Sequence, residues 1–193
     1  MRTRSTPALA LPVALVALVA STLPAWLPGR RRRRRPLGFG RELHHYRKEL
    51  RAATVEIDST ITKAAETMDA LRRRDVDVDE AIAALQSNED ELDAASRTLE
   101  EMLAPEELHG LHMEYEANLE RTLRGIVTAQ RGCAITKLPH RPPDDEEPFT
   151  YWKHGHQNVQ HAQLRMREVV DVLLTWEPGK PAEVTVTTRL HRA

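Results

Sequence analysis

Between Arg41 and Arg74 an apolar residue returns at every seventh position: Leu43, Leu50, Ile57, Ala64 and Leu71, with Ile61 and Met68 four positions later in the same register. A spacing alternating between three and four residues puts all these side chains on one stripe of an α-helix, where they must be covered by other helices. No Gly or Pro interrupts residues 41–74, and Arg72-Arg73-Arg74 offers cations to the negative helix end. The stretch therefore reads as one long helix ending before the Asp75-Val76-Asp77-Val78-Asp79 turn.

The same repeat continues downstream. Val78, Leu85, Leu92 and Leu99, joined by Ile82 and Leu103, define a second helix over about 80–103, with Asp79 as expected N-cap and a polar, weakly packing middle from Gln86 to Glu91. Ala104-Pro105 followed by two acids reads as the start of a third helix, because Pro fits a first helical turn. Leu108, Leu111, Tyr115, Leu119, Leu123 and Ile126 form its stripe, His112 lies within that stripe, and Arg131-Gly132 reads as its end. After a Pro-rich acidic segment over 133–148, Thr150 is the expected N-cap of a fourth helix carrying Trp152, Val159, Met166 and Leu173, with Gly155 weakening its first turn. Glu177-Pro178-Gly179 stops it. The alternation Glu183–Leu190 could form a short strand, whose one available partner is Ala134–Leu138.

Two Phe, three Tyr and three Trp leave a core of Leu, Ile, Val, Met and Ala, mostly good helix formers. The expected fold class is all-α: an N-terminal transmembrane helix followed by an antiparallel, up-down-up-down bundle of about four amphipathic helices with coiled-coil-like seams. A dimeric coiled coil using the same seams is the rival arrangement.

The transmembrane expectation rests on residues 8–27. This run carries no charge and is apolar apart from Ser21 and Thr22. At ~1.5 Å per residue it spans ~30 Å, the thickness of a bilayer's hydrocarbon. Arg30, Arg31, Arg32, Arg33, Arg34 and Arg35 follow, outweighing Arg2 and Arg4 before it, so the positive-inside rule keeps the bulk of the chain cytoplasmic on a single-pass anchor at the cell membrane. The six arginines are also the candidate contacts to lipid headgroups. A cleaved signal peptide and an exported chain are the alternative. The organisation expected is a membrane anchor at 1–29, a polybasic linker at 30–38, the bundle at 39–177 and a tail at 178–193.

Charge narrows the function classes. Eight of the 28 basic residues and none of the 29 acidic ones fall in residues 1–35, leaving 20 basic against 29 acidic, a net −9, in the rest. Such a surface repels phosphate backbones and argues against nucleic acid as a partner. The lone Cys133 has no partner for a disulfide within the chain, and no zinc-type Cys/His spacing accompanies it.

Nine histidines raise the question of a metal. Glu42-x-x-His45 and Glu106-x-x-His109 match the ExxH element of di-iron bundles, but the registers above turn Glu42, His45 and Glu106 outward. The better candidates are His109 and His112, three apart, with Glu116 four beyond, and His44 arriving from the same end of the bundle. His154, His156 and His161 cluster at the start of the fourth helix, too far along the axis to join them. No Ser/His/Asp order, glycine-rich phosphate loop or HExxH sequence appears, so neither catalysis nor a cofactor is implied. The function expected is a non-enzymatic, membrane-anchored module for protein–protein contact or self-association. The contrasting reading is a metal or pH sensor using the His-rich ends.

Overall fold

The structure is a computed structural model and describes residues 38–140 and 145–184. The described chain forms four helices: α1 (Phe39–Arg73), α2 (Val78–Glu100), α3 (His109–Thr136) and α4 (Pro148–Thr175). No strand occurs among the described residues, whose one ladder contact is an isolated bridge between Pro178 and Lys180.

The heptad residues are the core. Leu43, Leu50, Ile57, Ile61, Ala64, Met68 and Leu71 of α1 are buried, as are Leu85, Leu92 and Leu99 of α2, Leu111, Tyr115, Leu119 and Ile126 of α3, and Val159, Met166, Val169 and Leu173 of α4. Each helix packs on its two neighbours in the cycle α1–α2–α3–α4–α1, while α1 and α3 touch only slightly across the diagonal. The antiparallel register of α1 and α4 is marked along its length. Arg47 reaches the carbonyls of Leu173 and Trp176, Asp58 binds Arg167, and Arg72 meets His156. Arg47 thereby places a cation on the negative end of α4, where four carbonyls lack intrahelical partners.

Several boundaries differ from the sequence reading, each for a local reason. The N-cap of α2 is Asp77, not Asp79: its extended backbone lets its carboxylate accept from the Asp79 amide at 2.8 Å. Pro105 does not open α3. It belongs to a single turn in which the Leu108 amide donates to the Pro105 carbonyl, and fully buried Leu108 plugs the end of the core before the helix begins. Leu103, expected in the α2 stripe, is instead 91 % exposed. Helix α4 starts at Pro148, with Glu147 rather than Thr150 at its cap.

Gly132 and Gly155 also act otherwise than expected. Helix α3 runs through Gly132 to Thr136, which also removes Ala134–Thr136 from any strand pairing. A β-carbon on Gly132 would lie 2.8 Å from the Trp152 indole nitrogen, and one on Gly155 would lie 2.6 Å from the Gly125 carbonyl oxygen. These glycines are spacers that let α3 and α4 approach backbone to backbone, so buried Gly155 is a packing residue and not a weak first turn. Beyond α4, Ala182 and Val184 pack against the core.

Among the described residues no helix is long and apolar enough to cross a membrane. The expected anchor over 8–27, the Arg30–Arg35 run and residues 185–190 of the expected strand lie outside the described residues.

Candidate functional site

The polar centre of the bundle is His112. Its register position on the α3 stripe buries it to 3 % exposure, and both ring nitrogens are engaged. The Tyr46 hydroxyl of α1 lies 3.0 Å from Nδ1. Nε2 lies 3.2 Å from the Leu99 carbonyl in the last turn of α2 and 3.1 Å from Glu116 Oε1 one turn along α3. One neutral tautomer satisfies all of these: Tyr46 donates to Nδ1, and the Nε2 proton is shared between the Leu99 carbonyl and Glu116. Burial, helped by the Glu116 charge, pushes the Tyr46 hydroxyl well above its ordinary pKa, so it remains a protonated donor. Tyr115 is pushed up in the same way, by burial first and then by Asp58 and Tyr46. The network ties three helices together beside the α2–α3 turn.

Of the metal candidates, the structure brings His112 and Glu116 together and leaves His44 and His109 exposed on the outside of α1 and α3. Among the described residues, no three His, Cys, Asp or Glu side chains converge as a metal ion requires. Glu42, His45 and Glu106 of the two ExxH elements are exposed, as their registers imply.

At the opposite end of α1, His156 is buried and its Nδ1 lies 2.9 Å from Arg72 Nη1. The guanidinium can only donate, so Nδ1 is the acceptor and the imidazole is neutral. Burial and then the Arg72 charge hold the His156 pKa below its ordinary value, against a smaller opposing pull from Asp69. His154 and His161 are exposed. Cys133 is buried, and burial pushes its thiol up despite the Trp152 indole beside it, the opposite of an activated nucleophile.

The surface is less closed than the interior. A cavity of about 420 Å³ opens between α1 and α4 over a floor that includes Ile57, Ile61, Tyr115 and Met166. Asp58 and Arg167 bridge it through two contacts of 2.8 and 2.9 Å, and the guanidinium holds the Asp58 carboxyl below the usual carboxylate range. On the other side of α1, a cavity of about 750 Å³ lies against the α2–α3 turn, and one of about 470 Å³ continues it along the α1–α2 seam. No protein-family model matches the chain, and no curated protein or solved structure is significantly similar to it.

Sequence reasoning placed His112 and Glu116 on one helix but missed Tyr46 of α1 as the partner of His112, and Arg47 and Arg72 of α1 as partners of α4. Tyr46 carried a signal, standing three residues after Leu43 and four before Leu50 on the buried stripe. Arg47 stands four residues after Leu43, where it interrupts the apolar seam, but what it and Arg72 meet depends on the register of α1 against α4.

Proposed function

We propose that this chain is a membrane-anchored helical-bundle module whose role is non-enzymatic protein–protein contact. The observation that carries the reading is the contrast between a sealed interior and an open surface. The buried imidazole of His112 spends every hydrogen-bonding position on its own helices, whereas cavities with apolar floors open outward on both sides of α1. A catalytic imidazole needs access to substrate and a free nitrogen; an interaction module needs exposed apolar surface with polar margins. The anchor part of the proposal is supported by the length and apolarity of residues 8–27 and by the cationic flank Arg30–Arg35.

Two measurements on the full chain test it. Chemical crosslinking in native membranes should give a discrete species larger than the monomer, with one partner or a second copy co-purifying; a monomer without companions refutes the interaction role. In the same cells, alkaline extraction should leave the chain with the membrane, and a reporter fused after Ala193 should score as cytoplasmic. Release into the supernatant refutes the anchor independently.

A further inference from the structure

The trough on the α2 side of α1 has a chemistry that selects a partner. Its two cavities share Glu49 and Glu101 and so form one groove from the first turn of α1 to the Ala95 level of α2. The floor holds small residues, Ala53 on α1 and Ala95 on α2, beside half-buried Met102, with exposed Ala52 on the α1 side. Side chains ending at Cβ keep the floor low, so a rod-shaped ligand can approach closely. At the α2–α3 turn the floor gives way to Leu103, a large apolar side chain 91 % exposed and therefore in contact with almost nothing in this chain.

The walls carry charge in a regular order. Glu42, Glu49 and Glu56 recur every seven residues along α1, which puts all three on one edge of the groove over about 21 Å of helix axis. Glu101 stands on the opposite edge, with Glu106 at the turn. Arg41 and His45 are the basic residues of the lining, and His45 pairs with Glu49 at 3.0 Å. Acidic residues at seven-residue intervals beside a shallow apolar seam correspond to the flanking positions of a coiled coil, which choose partners by charge. The matching surface is a helix of about four turns with an apolar ridge and Lys or Arg at its own flanks. A second copy of this face would set like carboxylates against one another, which an isologous contact cannot relieve.

We infer that the α1–α2 groove is a docking site for a basic amphipathic helix of a partner protein, which lays its apolar ridge over Ala52, Ala53, Ala95 and Leu103 and its cations along Glu42, Glu49 and Glu56. This rests on the interaction reading above and names the class of partner.

The test uses the purified full chain in detergent and a fluorescein-labelled 21-residue helical peptide with Leu at the seam and Lys at the flanks, followed by anisotropy. The Lys peptide should bind, and its counterpart with Glu in place of Lys should not. Binding should weaken about tenfold in the triple variant Glu42→Gln, Glu49→Gln, Glu56→Gln, and the salt dependence should flatten. Leu103→Ser should weaken it severalfold; at that exposure the substitution leaves the fold intact, which circular dichroism checks. An equal loss of charge elsewhere, through Glu66→Gln, Asp90→Asn and Glu120→Gln, should leave affinity within about twofold. Equal weakening by both triple variants, or equal binding of a peptide with Ser in place of Leu, overturns the inference, since either result means diffuse charge attraction. A crosslinked partner that survives the groove variants also overturns it while leaving the interaction role standing. Absence of any crosslinked partner refutes the role itself.

Discussion

Helix propensity and packing make opposite predictions for Gly155, and the structure decides between them. In an exposed helix interior, Gly→Ala stabilises by about 1 kcal/mol, because Ala loses less backbone entropy on folding. At Gly155 the new methyl would lie 2.6 Å from the Gly125 carbonyl oxygen, 3.1 Å from Ala129 Cβ and 3.2 Å from the Ala129 amide nitrogen. Two of these neighbours are backbone of α3, so no side-chain rotation relieves the clash and the helices must separate by several tenths of an ångström. Overpacking of this kind costs about 3 kcal/mol at the upper end of its usual range, and subtracting the propensity gain leaves a net loss of about 2 kcal/mol. For a domain of this size that lowers Tm by roughly 4–8 °C. Gly110 is the sterically open control: it is exposed in the first turn of α3, and a β-carbon there meets nothing within 4 Å. Gly110→Ala should therefore stabilise by about 0.5–1 kcal/mol. Urea and thermal melts followed by circular dichroism measure both. A Gly155→Ala protein as stable as the parent would refute the close-approach argument, and a destabilised Gly110→Ala would show that propensity is not the opposing quantity.

Two further outcomes follow from the buried histidines. Tyr46→Phe keeps the ring but leaves Nδ1 of His112 unpaired inside the bundle, and should lower stability by about 1–3 kcal/mol in urea melts; an unchanged midpoint would mean that water reaches the imidazole. The folded pKa of His156 lies below its unfolded value of about 6.5, so the unfolded chain binds more protons in that window. The bundle should therefore lose stability as pH falls from about 7 toward 5, and His156→Gln should flatten that slope. Identical slopes for parent and variant would refute the assignment of His156 as a neutral acceptor. Asp58, with its pKa lowered by Arg167, contributes stability that is lost only in more acidic solution, below its ordinary value of 3.8, so the two effects separate.

What the sequence made legible was what depends on periodicity. Leu43 through Leu71, Leu85 through Leu99, and Val159 through Leu173 announce which face of each helix is covered, and burial follows that pattern with few exceptions. Helix ends were less legible because several residues compete for each role. Asp77 and Asp79 are both good caps, and only the backbone angles at Asp77 decide between them. Gly132 and Gly155 misled for a different reason: a glycine that ends a helix and one that admits a neighbouring helix are the same letter, distinguished only by what lies across the seam. The same limit hid the candidate surfaces. Of the three acids Glu42, Glu49 and Glu56 only Glu42 was placed from sequence, on the outer face, and their common relation to Ala95 and Leu103 emerges only once α2 is laid beside α1. The metal candidates divided likewise: His112 and Glu116 meet because they share one helix, whereas bringing His44 to them would require α1 to turn its outer side inward.

The contact of Arg47 with the final carbonyls of α4, together with the edge-on meeting of Phe39 and Trp176 at 6.4 Å, has a mechanical consequence. Because the first turn of α1 and the last turn of α4 are neighbours, tension applied through the two ends of the bundle acts across their shared seam and not along it. Such a load strains one rung at a time, beginning at Arg47, then the Asp58–Arg167 bridge, and last the Arg72–His156 pair. The bundle would thus unzip from the end where Phe39 and Trp176 meet, yielding gradually to a pull instead of resisting until every rung breaks together.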